Sequence, residues 1–135
     1  MPHPYTPEKI TKLAPNEVFV FGSNRLGWHG GGAALTAMLK FGAVLFCGRG
    51  LHGQSYAIPT MHGGPEKIAP YVDEFITYAT LHPELHFYVT KIGCGIAGHT
   101  AKDIAPLFLA ARELPNVSLP KEFADVLRQR ANGLP

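Results

Sequence analysis

Three times in this sequence a short run of β-branched or aromatic residues gives way to a glycine-dense segment. Val18-Phe19-Val20-Phe21 precedes residues 22–32, residues 44–47 precede 48–53, and residues 86–92 (His-Phe-Tyr-Val-Thr-Lys-Ile) precede 93–98. Glycine adopts positive φ and has no Cβ, so a run of glycines lets successive backbone N–H groups converge on one concave point. The repeated order of buried strand then glycine loop restricts the chain to folds in which such loops gather at one rim of a sheet.

The remaining elements follow from periodicity. Residues 17–21 read as a strand covered on both faces, stopped by Gly22-Ser23-Asn24. A helix follows from Ala33, Ala34, Leu35, Ala37, Met38 and Leu39, with Gly42 placed to end it. Residues 55–58 make a further short strand that Pro59 ends. Gly64-Pro65-Glu66 opens the clearest amphipathic helix, in which Ile68, Tyr71, Val72, Phe75, Ile76 and Ala79 recur at spacings of three and four. A helix near residues 101–112 has a capping box in Thr100 and Asp103 and a blurred start at Pro106. Residues 116–119 form a last strand and residues 120–130 a terminal helix. Strands alternating with helices predict an α/β protein with a mixed, mostly parallel sheet flanked by helices.

At 135 residues and 14.6 kDa the chain suits one domain, residues 1–135. Fifteen glycines and twelve prolines make up a fifth of the chain, and eleven of the glycines fall in the three glycine segments 22–32, 48–53 and 93–98. Twelve basic against ten acidic residues leave a net charge of +2 and no polybasic stripe, which argues against general nucleic-acid binding. No apolar run approaches the roughly 20 residues of a membrane helix, and residues 1–13 lack the core of a signal peptide, so a cytoplasmic protein without membrane contact is expected. Cys47 and Cys94 read as reduced thiols.

A glycine loop that leads into a helix N-terminus favours a phosphate, and residues 22–32 and 93–98 both have that layout; the alternative is that the glycines only permit tight turns. Gly93, Gly95 and Gly98 literally match the dinucleotide fingerprint, yet only 37 residues follow and no acidic residue ends the next strand, so a Rossmann dehydrogenase is not expected. The absence of Gly-Lys-Ser/Thr excludes a P-loop.

Ile10-Thr11, then residues 18–24, then Gly30-Gly31-Gly32-Ala33 before an alanine-rich helix, resembles the opening of a macrodomain, the ADP-ribose-binding module. A helix ending in His82-Pro83, an apolar strand and residues 92–98 (Ile-Gly-Cys-Gly-Ile-Ala-Gly) is similar to that family's second half. The likeness spans residues 10–108 and points to the compact macro-like proteins of bacteria and phages. It implies a three-layer macrodomain-like fold and a small-molecule nucleotide ligand such as ADP-ribose. The binding set it implies is Gly22, Ser23, Asn24, His29, Gly30, Gly31 and Gly32 from the first loop, with Gly93, Cys94, Gly95, Ile96, Ala97 and Gly98 from the last. Asn24 would hydrogen-bond the distal ribose, and the last loop would hold the pyrophosphate.

Two positions depart from the family pattern. Glu8-Lys9 stands where a Gly-Asp pair usually holds the adenine. The stretch ending Lys40-Phe41-Gly42 resembles macrodomains that remove ADP-ribose with a lysine and an aspartate, but the aspartate's place is Ala97. The candidate catalytic residues are therefore Lys40, His29 and His99, with Lys40 alternatively a cation closing a helix C-terminus. Binding without turnover is the first expectation; an ADP-ribosyl hydrolase and a non-catalytic interaction protein on the same scaffold are the alternatives. His29, His52, His62 and His99 fall in loops without metal-ligand spacing among them, and neither metal nor cofactor is expected. Trp28 is either a hydrophobic plug or a stacking surface.

Overall fold

Strand β1, Glu17–Ser23, has both faces covered because its neighbours pack from two sides. Val18 and Val20 point to one face with Tyr56, Ile58, Phe87 and Val89, while Phe19 and Phe21 point to the other with Ala57. That alternation is the two-residue period of an extended chain. The computed structural model describes residues 5–23, 36–37, 39–43, 48–61, 63–94 and 97–131. The expected strand at 44–47, most of the helix beginning at Ala33, Trp28 and Cys47 lie outside the described residues.

Among the described residues the sheet has five strands: β1, β2 (Gly50–His52), β3 (Ser55–Pro59), β4 (His86–Val89) and β5 (Val117–Ser118). Their spatial order is β2-β3-β1-β4-β5, with β2 antiparallel to β3 and every other pairing parallel. The chain is thus α/β with a mixed, mostly parallel sheet, as its alternating pattern predicts. One face carries α1 (Pro65–Leu81), whose Ile68, Val72, Phe75 and Ala79 are buried, together with a 3-10 helix (Ala105–Glu113) and α3 (Lys121–Ala131). The other face is covered by Ala37, Phe41 and Ala43, with Ile10 and Leu13 at the margin.

Four boundaries differ from the sequence expectations. Gly22 and Ser23 do not stop β1; they continue it, paired with Ile58 and Pro59. The glycine segment 48–53 is not simply a loop, because β2 lies within it and turns into β3 through Gly53-Gln54, with Gly53 at φ +61°. Strand β4 ends at Val89 rather than Ile92: Thr90 still donates its N–H to the Val20 carbonyl at 3.0 Å, but Ile92 N–H then turns back to the Thr90 carbonyl at 2.7 Å. The helix expected at 101–112 splits into α2 (Ala101–Ile104) and the 3-10 stretch, since Pro106 has no N–H to continue an α-helix and its ring crowds the carbonyl four residues back. The capping box does form, with the Asp103 carboxylate accepting from the Thr100 N–H at 3.2 Å and its hydroxyl at 3.0 Å.

Candidate functional site

Among the described residues the strand order places a switch point, where a crevice is expected, between the carboxyl ends of β1 and β4. The chain leaving β1 travels to the β3 side, the chain leaving β4 travels to the β5 side, and β1 and β4 are neighbours. In an open parallel sheet, ligands bind outside the carboxyl ends of strands whose connections diverge in this way.

At that rim the ends of β3, β1 and β4 crowd together. A Cβ at Gly22 would lie 3.0 Å from Thr60 Oγ1 and 3.4 Å from both Gly93 N and Ile92 Cβ. Glycine suits that close approach, where a methyl group would make Thr60 or the chain at Gly93 give by a few tenths of an ångström. Ser23, the last residue of β1, buries its hydroxyl and donates it to the Gly48 carbonyl, and its own carbonyl accepts the Thr60 N–H at 2.7 Å.

The segment after β4 is shaped by its glycines. Gly93 has φ +75° and packs so closely on Ile104 that a Cβ would meet Cδ1 at 3.1 Å; Gly98 has φ +80° and open space around it. The loop closes at its neck, where the His99 N–H donates to the Gly93 carbonyl at 2.8 Å. Cys94 N–H is engaged with the Lys91 carbonyl at 3.3 Å. Among the described residues, no acceptor takes the N–H of Gly93, Ala97 or Gly98. Such unpaired amides beside two positive-φ glycines suit an anion.

The first-loop residues Asn24, His29, Gly30, Gly31 and Gly32, and Gly95 and Ile96 of the last loop, lie outside the described residues. Those that are described divide into two groups. Gly22 meets Gly93, Ser23 follows it at the end of β1, and Cys94, Ala97, Gly98 and His99 belong to the same strand exit as Gly93. Lys40 does not join them. Its helix ends at Gly42, φ +83°, and the neighbouring Phe41 carbonyl accepts the Gln54 N–H at 2.9 Å. Gln54 in turn donates its side-chain amide to the carbonyls of Ala14 at 2.8 Å and Glu17 at 3.1 Å. The exposed Lys40 therefore stands beside the turn that leads into β3, toward the amino end of β1 rather than at its Gly22 end.

The remaining chemistry at the rim is modest. Burial raises the Cys94 pKa, only partly offset by the charge of Lys91, so the half-buried thiol stays protonated and packs against the core. Lys91 itself is held by Glu122 at 2.9 Å. Asp103 is the carboxylate nearest in sequence to His99; the hydrogen bonds from Thr100 lower its pKa first, and His99 adds to the shift. Ala97 supplies no carboxylate. Among the described residues no group of three His, Cys, Asp or Glu could hold a metal. His82 and His86 stand four apart in sequence, but His82 contacts Glu84 at 3.0 Å and His86 contacts Ser118 at 2.7 Å.

Thr60 escapes sequence reasoning because its importance comes from the parallel pairing of β3 with β1. The only local signal is a hydroxyl residue directly after a strand-ending proline. No described helix is long and apolar enough to cross a membrane. The chain matches no protein-family model, no curated protein and no solved structure.

Proposed function

We propose that this chain binds ADP-ribose or a related nucleotide-derived small molecule, with its phosphates over the exits of β1 and β4. The observation that carries this reading is the contact of Gly22 with Gly93 at the divergent point of the sheet. Two segments 71 residues apart in sequence meet where a phosphate is favoured, and the amides of Gly93, Ala97 and Gly98 are available to it. The macrodomain resemblance supplies the ligand class and the roles of Asn24 for the distal ribose and of residues 30–32 for its phosphate.

Calorimetry with ADP-ribose, NAD and AMP tests the reading. Dissociation constants below about 1 mM, lost on Gly31→Val and on Gly95→Val while the fold persists, are expected. No binding of any of the three at that level would leave an interaction protein on the same scaffold.

A hydrolase is the second reading, and it rests on His99, whose ring carbon Cδ2 lies 3.6 Å from the Cβ position of Gly93. Imidazole serves as acid or base near neutral pH. Lys40, the other candidate, stands toward the amino end of β1, so His99 carries this reading first. Release of ADP-ribose from modified protein or DNA that His99→Ala abolishes and Lys40→Ala leaves intact would establish turnover over binding alone.

A further inference from the structure

Away from the glycine loops, a second concavity lies at the β5 edge of the sheet. Tyr5 bridges Leu119 in parallel, and Thr6 fastens this strap by donating its N–H to the Leu119 carbonyl at 2.8 Å and its hydroxyl to the Ser118 carbonyl at 2.9 Å. Between the strap, β5, the end of the 3-10 helix and α3 there is a cleft of about 240 Å³. Its lining combines apolar Val117, Leu119 and Ala124 with Tyr5 and two arginines, Arg112 and Arg128. An apolar cavity of ~150 Å³ holds a benzene molecule, so this cleft has room for one ring and a head group.

The charge around the cleft is unbalanced. Asp125 is shared by Lys121, at 3.1 Å, and Arg128, so one carboxylate answers two cations on α3. Arg112, exposed at the end of the 3-10 helix, has no carboxylate partner among the described residues. Two guanidiniums beside an apolar floor recognise a molecule with an apolar body and a doubly charged head, because each guanidinium presents a planar fork of donors to phosphate oxygens.

We propose that this cleft binds a small aryl phosphate, its ring on Val117, Leu119 and Ala124 and its phosphate between Arg112 and Arg128. The site is separate from the β1/β4 crevice and does not depend on what binds there.

Titrating the isotope-labelled full chain with phenyl phosphate, and following backbone amides by NMR, tests the proposal. Saturable shifts are expected at residues 111–112, 117–119 and 124–128. Arg112→Gln and Arg128→Gln should each weaken binding about tenfold without changing the melting temperature. Ala124→Leu, which fills the cleft and leaves both charges, should also abolish binding. Phenol, inorganic phosphate and benzoate should all bind more weakly than phenyl phosphate. Shifts confined to residues 93–98, an affinity unchanged in both arginine variants, equal affinity for inorganic phosphate, or no saturation below about 10 mM would each overturn it.

Discussion

Gly93 and Gly98 share a left-handed backbone but not an environment, and substitution separates the two causes. An L-residue in that region costs roughly 1–2 kcal/mol whatever surrounds it, and Gly98 has open space, so Gly98→Ala should lose about that much. Gly93→Ala adds the push of a methyl against Ile104 and should lose more. Urea unfolding of both variants checks the order; equal losses would show that Ile104 yields freely. Two tyrosines act at the same scale on the alkaline side. Burial, then the 2.7 Å hydrogen bond to Glu17, pushes Tyr88 up to about 12, and burial, then the charge of Glu74, does the same to Tyr56 against the opposing Arg49. Each folded-state pKa lies above the ordinary value of 10, so the folded chain holds these protons more tightly than the unfolded one. Their contribution is complete below pH 10 and falls away as pH rises toward 12. Denaturation midpoints should decline across that window, and less steeply in a Tyr56→Phe, Tyr88→Phe double variant.

Elements differ in how openly the sequence declares them. Helix α1 is announced by Ile68, Val72, Phe75 and Ala79 at helical spacing, and all four are buried. Phe75 touches the rings of Tyr56, Phe87 and Phe108, at 5.2, 5.4 and 6.3 Å between centroids. Phe75→Ala should therefore cost about 3–5 kcal/mol, a large share of the roughly 5–15 kcal/mol available to such a domain. A urea midpoint shifted by less than half of that would mean the cluster collapses into the vacancy. The 3-10 helix and β2 carry weaker local signals. The 3-10 helix depends on a partner further along the chain, as Phe108 packs against Phe123, and β2 forms because Gly53-Gln54 returns the chain onto β3 within a glycine-rich segment. Gly22-Ser23 carries the composition of a turn, and only the pairing with Ile58 and Pro59 makes it strand. Local propensity loses at these places to tertiary contact.

At the scale of the whole molecule, alternation of strands and helices was enough to foresee a mostly parallel α/β sheet, but not its order. That β1 sits between β3 and β4, and so brings Gly22 to Gly93, comes from hydrophobic coverage on two faces, which no single window of sequence contains. The same order separates the β1/β4 crevice from the arginine cleft beyond β5, and this has a thermodynamic consequence. A ligand that binds only the folded chain stabilises it by about 2.7 kcal/mol when present at one hundred times its dissociation constant. Two ligands at sites without shared residues should add their effects to within a few tenths of a kcal/mol. ADP-ribose and phenyl phosphate, each near that concentration, should thus raise the stability by about 5 kcal/mol together, and either alone by half. Isothermal denaturation in urea with neither, each and both ligands measures the four states. If saturating phenyl phosphate erases the gain from ADP-ribose, the phosphate groups compete for one set of donors and the glycine rim holds both. Additivity that Arg112→Gln reduces only in its phenyl phosphate part would locate the two ligands at separate sites, one between β1 and β4 and one beyond β5.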